Sequence, residues 1–84
     1  MDDAAPPRPA DLVATMAFDP MIGILDIDAH LATLKDRAEA LGYAFDRHDV
    51  RNDLQAATFR LRGAAQVRLL LSPSGAIAIE VTPE

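Results

Sequence analysis

The sequence predicts an α+β domain in which two to three short helices pack on one face of a C-terminal three-stranded antiparallel β-meander. Three observations favour this fold: apolar residues alternate through the last third of the chain, a turn sequence interrupts that alternation, and apolar residues recur at helical spacing over 29–41. The predicted strands are about 58–62, 66–72 and 76–82. The domain covers residues 11–84.

The last two predicted strands form a hairpin that turns at Ser72-Pro73-Ser74-Gly75, a sequence typical of a type I turn closed by a left-handed glycine. A three-residue loop sets the register of the hairpin, because a slip by one residue would turn every side chain to the other face. The expected opposing pairs are Leu71 with Ile77, Leu69 with Ile79, Val67 with Val81 and, on the opposite face, Arg68 with Glu80.

Three helices are predicted ahead of the meander. Asp11 is expected to cap a helix over 12–18, and Asp28 to cap the main helix over 29–41. A third helix is predicted over 47–56 with Asp46 as its cap, and Gly42 is expected to end the main helix in the left-handed conformation. The predicted core combines the inward residues of the sheet with the apolar faces of the two longer helices: Phe59, Leu61, Val67, Leu69, Leu71, Ile77, Ile79 and Val81 with Leu31, Leu34, Ala38, Leu41, Val50 and Leu54.

Two segments leave an alternative open. The segment 21–27 fits a short buried strand or an apolar linker, and its central Gly23 favours the linker. The segment 43–50 could pair as a strand that turns at Asn52, but its many charges favour the helix. Ahead of the domain, residues 1–10 contain three prolines and predict a flexible arm.

Composition narrows the classes of function. The 84 residues carry a net charge of −5, placed mostly in the first two thirds of the chain, so most of the surface would repel nucleic acid and anionic membrane. The chain has no cysteine, no apolar run long enough to span a bilayer and an acidic start unlike a signal peptide. We therefore expect a cytoplasmic protein that binds neither nucleic acid nor membrane.

The sequence shows no catalytic or metal-binding pattern. His30 and His48 do not have the spacing of a metal site, and one of the two carboxylates of Asp26 and Asp28 is needed to cap the main helix, with no partner side chain fixed nearby for acid-base chemistry. Both serines lie in the hairpin turn, and the four glycines form no phosphate-binding loop. These observations predict a protein that is not an enzyme and needs no cofactor.

The outer face of the predicted meander suggests a partner-binding site. Arg60, Arg62 and Arg68 would point the same way beside Leu70, with only Glu80 as a counter-charge. Surface arginines that keep a sheet soluble are one interpretation. The other is a docking face for an acidic protein surface or for a second copy of the chain.

The function expected from these observations is a small acidic module that acts by binding another protein, such as a larger enzyme or complex. It could serve as an accessory subunit, a regulator or an inhibitor. An inhibitor whose acidic surface mimics nucleic acid belongs to the same class and is not separated from it by the sequence.

A different class is suggested by the start LVATMAF, the Asp19-Pro20 step and the stretch AEALGYAF followed by DRHDVRNDL. With these features residues 12–54 resemble Nif11-like small bacterial proteins and the leader segments of peptide precursors. The resemblance implies a precursor that is the substrate of a modifying enzyme, with a helical segment bound by that enzyme.

The contacts implied by this resemblance are Tyr43, Phe45, Val50 and Leu54. Two features depart from the family pattern. The expected double-glycine cleavage site is replaced by Gly63-Ala64, and the C-terminal third is patterned to fold and has no cysteine.

Overall fold

The last two strands of the described chain pair antiparallel, in the register that the turn sequence predicts. The computed structural model describes residues 11–84, and the predicted arm of residues 1–10 lies outside the described residues. The elements are β1 (Leu12–Asp19), β2 (Gly23–Ile24), α1 (Ile27–Leu41), α2 (Arg47–Thr58), β3 (Ala65–Leu71) and β4 (Ile77–Pro83).

The hairpin of β3 and β4 is confirmed pair by pair: Leu71 lies opposite Ile77, Leu69 opposite Ile79, Val67 opposite Val81, and Arg68 opposite Glu80. In the turn, the Gly75 N–H donates to the Ser72 carbonyl at 2.9 Å, and Gly75 adopts a φ of 92°. Residues that carry a side chain rarely adopt this left-handed backbone conformation, so the glycine at this position allows the tight turn between β3 and β4.

The predicted three-stranded C-terminal meander is wrong, although the structure is α+β. The sheet has four antiparallel strands in the order β2-β1-β3-β4, so β1 and not a strand at 58–62 lies beside β3. Thr58 ends α2, where its Oγ1 donates to the Leu54 carbonyl at 2.9 Å, and no strand forms between this residue and Ala65. The alternation of Phe59 and Leu61 is too short to oppose this continuation of the helix.

The predicted helix over 12–18 is also wrong, because this segment is β1. Its register with β3 runs from Leu12 opposite Leu71 to Phe18 opposite Ala65. The segment alternates between core and surface positions, and pairing with β3 buries the core-facing side of that alternation. The segment predicted as a linker at 21–27 contains the two-residue strand β2, which pairs with the end of β1.

Both longer helices form, with one change of cap. Asp46 caps α2 as predicted, since its side chain accepts a hydrogen bond from the Asp49 N–H at 3.0 Å, and the strand alternative at 43–50 is thereby excluded. The N-cap of α1 is Asp26, with a φ of 55°, and not Asp28, which lies in the first turn. Gly42 ends α1 as expected, with a φ of 74°.

One hydrophobic core joins the helices to alternate residues of β1 and β3. Its buried members are Leu12, Met16, Phe18, Leu31, Leu34, Ala38, Val50, Leu54, Ala65, Val67, Leu69 and Leu71. The sequence-based core omitted the three residues of β1 and wrongly included Leu41 and Phe59, which are exposed. The inward residues of β4 are half-buried against this core, because β4 is an edge strand.

Candidate partner-binding site

The four residues predicted to bind a partner do not share one face in the way the sequence suggested. Arg68 and Leu70 lie on β3, but Arg60 and Arg62 are exposed in the loop after α2 and belong to no strand. The reason is the extension of α2 to Thr58, which removes the predicted strand that would have carried them. The partner-binding role of these residues stays a prediction.

The two members that lie on the sheet offer little free surface for recognition. The guanidinium of Arg68 donates to Glu80 Oε1 from Nε at 2.9 Å, and its Nη2 lies 2.6 Å from the same oxygen. Leu70 lies opposite Val13 on one side and Ala78 on the other, and only 7% of it is exposed. The charge of Arg68 is thus already paired, and Leu70 would add little buried area in a complex.

A different surface exposes large apolar side chains. We call Met21, Ile22 and Phe59 the end patch; they are 91%, 73% and 82% exposed. Monomeric proteins rarely leave such groups of apolar side chains in water, and grouped exposure is typical of interaction sites.

Local structure explains why these side chains are presented to solvent. After β1 the chain turns sharply, since Asp19 Oδ1 accepts from the Met21 N–H at 2.7 Å and the Asp19 carbonyl accepts from the Ile22 N–H at 3.1 Å. This turn places Met21 and Ile22 at its tip. Phe59 is the C-cap of α2, one residue beyond the last buried position of that helix.

A pocket of about 330 Å³ lies between this turn and the end of α2. Most of the residues that line it are apolar, although polar atoms contribute much of its surface, and two of the residues belong to the end patch: Phe18, Pro20, Ile22, Gly23, Ile24, Ile27, Arg51, Gln55, Thr58, Phe59 and Leu61. Only one charged side chain, that of Arg51, is part of this lining. The end patch and the pocket therefore form one continuous candidate site.

Arg51 belongs to an ion cluster that joins the two helices. Asp28 Oδ1 accepts from Arg51 Nη1 at 2.5 Å and from Arg47 Nη2 at 3.3 Å. The adjacent guanidinium of Arg51, and to a lesser degree that of Arg47, holds the pKa of the Asp28 carboxyl below its usual value. Two guanidinium groups share one carboxylate, so the cluster carries one uncompensated positive charge.

Sequence reasoning missed this site. The apolar pair Met21-Ile22 directly after Asp19-Pro20 was the available signal, since apolar residues at the tip of a turn are unusual. Phe59 was assigned to the core because its neighbours alternate. The proximity of Arg51 to the pocket depends on the packing of α2 beside the turn after β1, and nothing near Arg51 in the sequence indicates this packing.

Other kinds of site find no support in the part of the chain that the structure describes. Within residues 11–84, no three His, Asp or Glu side chains converge in a geometry that could bind a metal ion. No helix over the same residues has the length and apolar composition that crossing a bilayer requires.

Comparison with known proteins places this fold within a larger one. The chain is similar to part of a crystal structure of a Mesorhizobium loti protein described as a candidate amino-acid aminotransferase, with 33% sequence identity and a TM-score of 0.80. The similarity covers 87% of this chain and 35% of that chain, so the chain spans about a third of the length of the M. loti protein. No family model and no curated protein matches the chain.

These comparisons do not test the resemblance to Nif11-like proteins, which stays a prediction. Of the contacts that it implies, Val50 and Leu54 are buried in the core, and Tyr43 and Phe45 pack against the core. The start of the resembling segment is the strand β1.

Proposed function

We propose that the chain is a partner-binding module of an aminotransferase-like protein, without catalytic activity of its own. The observation that carries this proposal is the 33% identity to a M. loti protein of which only 35% is covered. The remaining part of such a protein would come from another polypeptide or from another segment of the same one. In either case the module needs a surface that packs on that remaining part.

The end patch is the surface best suited to this packing. Burying Met21, Ile22 and Phe59 would remove apolar area from water, which stabilises a complex by about 25 cal/mol per Å² before the costs of association are subtracted. The face that carries Arg68 and Leu70 has no comparable apolar area, since its arginine is paired and its leucine is buried. We further propose that the module acts in the cytoplasm, since its net charge of −5 would keep it away from anionic membrane surfaces.

A chimera tests the proposal. Residues 11–84 would replace the matched third of the M. loti protein, and the thermal unfolding of the chimera would be followed by calorimetry. We expect one cooperative transition, because a docked module unfolds together with the part it packs on. Met21→Ser combined with Phe59→Ser should separate this transition into two, while the isolated 84-residue chain with the same changes keeps its Tm.

Leu41→Ser is the matched control, because Leu41 is also a large exposed apolar residue but lies at the far end of α1. It should leave the single transition intact. Arg60→Ser with Arg62→Ser tests the sequence-based site in the same chimera. If the end-patch variant behaves like the Leu41 control, the end patch is not the docking surface.

The isolated chain supplies two further tests. Assayed with an L-amino acid and a 2-oxo acid, it should transfer no amino group, and transfer would contradict a non-catalytic module. Sedimentation velocity should show a monomer. A dimer that Met21→Ser with Phe59→Ser dissociates would make a second copy of the chain the partner.

A further inference from the structure

The size and lining of the pocket indicate what part of a partner can enter it. At about 330 Å³ it lies at the lower limit of pockets that bind small molecules, roughly 300 to 1,000 Å³. A helix or a strand does not fit such a volume, but one apolar side chain does. Ile22, Ile24 and Phe59 would contact that side chain.

The positive charge of Arg51 at the edge of the pocket indicates what kind of residue should stand next to this apolar side chain in the partner. Arg51 has five N–H donors, and within residues 11–84 its side chain has Asp28 as its one hydrogen-bond partner. Arg47 also donates to the same Asp28 oxygen, so Arg47, Arg51 and Asp28 together carry one net positive charge. This charge attracts a further anion. The chain as a whole is acidic, with a net charge of −5, so a negatively charged segment would be repelled from most of the surface and drawn to Arg51 at the pocket.

We infer that the pocket binds an apolar side chain of the partner that is followed directly by an acidic residue, whose carboxylate pairs with Arg51. The Gln55 side chain, which also lines the pocket, can donate a second hydrogen bond to that carboxylate. The inference rests on the proposed function for the source of this segment, and it can be tested without that source.

The probe is the blocked dipeptide N-acetyl-Leu-Asp-amide, titrated into the ¹⁵N-labelled 84-residue chain and followed by two-dimensional NMR. We expect saturable shifts of the Gly23, Ile24, Thr58 and Phe59 amides, with a dissociation constant on the order of 1 to 10 mM, as for other ligands of this size. N-acetyl-Leu-Asn-amide has the same shape without the charge. It should bind about fivefold more weakly, the factor expected when one exposed ion pair is lost.

Arg51→Gln should reduce this fivefold preference for the Asp peptide to about one. Arg47 can still pair with Asp28 in this variant, so the helices keep their connection. Arg37→Gln is the matched control, because Arg37 is an exposed arginine of α1 that contacts the Val13 carbonyl and not the pocket. It should retain the full preference.

The inference is overturned if the two peptides bind equally to the unaltered chain, if neither shifts the four amides, or if Arg51→Gln keeps the preference. These outcomes concern the isolated chain alone. Failure of the proposed function is read instead from the unfolding of the chimera, so the two failures are distinguishable.

Discussion

The two strands that flank β3 differ in how far away in the chain they begin, and this difference decides how well the sequence predicts them. β4 follows β3 after one short turn, and every pair of the hairpin agrees with the turn chemistry. β1 comes from the opposite end of the described chain, and its pairing with β3 is not encoded by any turn. Local chemistry specifies the first pairing, whereas the second depends on the complete fold.

β1 and β4 also differ in burial, and here the strand that is harder to predict is the more buried one. β1 lies inside the sheet and contributes fully buried side chains to the core, whereas the inward residues of β4 are half-buried at the edge. The strand that is harder to predict is therefore the one that contributes more to the core. The following predictions test this contrast, from the largest expected effect to the smallest.

Met16→Ala should have the largest effect. Met16 lies in the middle of β1 opposite Val67 and is 3% exposed. Truncation leaves a cavity in a core that cannot close around it, so we expect the free energy of unfolding to fall by about 2 to 4 kcal/mol. Urea denaturation of the 84-residue chain measures this change.

Ile79→Ala in β4 is the matched variant. Ile79 is half-buried, so its truncation should cost about half as much as that of Met16. Equal losses for the two variants, or a larger loss for Ile79, would contradict the assignment of β1 as the central strand and β4 as the edge strand.

Gly75→Ala tests the pairing of β3 with β4, which the local turn sequence specifies. Gly75 has a φ of 92°, and an added Cβ would lie 3.0 Å from the Ala44 Cβ and 3.2 Å from the Ala44 carbonyl oxygen. The strained backbone and the clash together should lower the free energy of unfolding by about 1 to 3 kcal/mol. The same denaturation experiment measures this change.

Gly63→Ala is the control for this substitution. Gly63 has no positive φ, and a Cβ placed there would meet no heavy atom within 4 Å. We expect the free energy of unfolding of the Gly63→Ala variant to stay within about 0.5 kcal/mol of that of the unaltered chain. A loss as large as that of Gly75→Ala would mean that the effect comes from the loss of a glycine and not from the geometry of the turn.

The same distinction between local and distant interactions explains what the sequence predicted. Asp46 and Gly42 delimit helices through bonds to residues a few positions away, and both were identified correctly. The strand at 58–62 was wrong because Phe59 and Leu61 satisfy a period of two while α2 continues through Thr58. The cap of α1 was misplaced because Asp26 starts the helix with a left-handed backbone, at a φ of 55°, and without a side-chain cap hydrogen bond, whereas the prediction relied on a capping side chain.

The candidate site could be predicted only in part, for the same reason. An exposed charge such as Arg68 can be assigned to the outer face from strand alternation, and its pairing with Glu80 follows from the register. Whether an apolar residue is buried depends on which element covers it. Nothing near Phe59 in the sequence shows that α2 ends there without a covering strand.

The smallest predicted effect concerns the ion pairs of the helices, where a local and a distant interaction can again be compared. Lys35 pairs with Glu39 one turn away on α1, at 2.7 Å, whereas Asp28 of α1 pairs with Arg47 and Arg51 of α2. Only the second interaction holds two elements together. Asp28→Asn should therefore lower the Tm slightly at neutral pH.

The pH dependence of this loss follows from the direction of the pKa shift. The guanidinium of Arg51 lowers the pKa of Asp28 in the folded chain below its ordinary value, so the charged carboxylate stabilises the fold above the unfolded pKa. This stabilisation disappears as the pH falls through the folded pKa. The Tm difference between Asp28→Asn and the unaltered chain should then be present at about pH 6 and shrink as the pH falls below about 4, the ordinary pKa of an aspartate.

Asp53→Asn is the control for the change in net charge, because Asp53 is exposed on α2 and makes no ion pair within residues 11–84. Its Tm should differ little from that of the unaltered chain at about pH 6, and added salt should reduce the effect of Asp28→Asn toward this level. Equal effects of the two substitutions at neutral pH would mean that net charge, and not the distant pairing with Arg51, accounts for the loss. In that case the helices would be held together by their apolar faces alone, through residues such as Leu34 and Leu54.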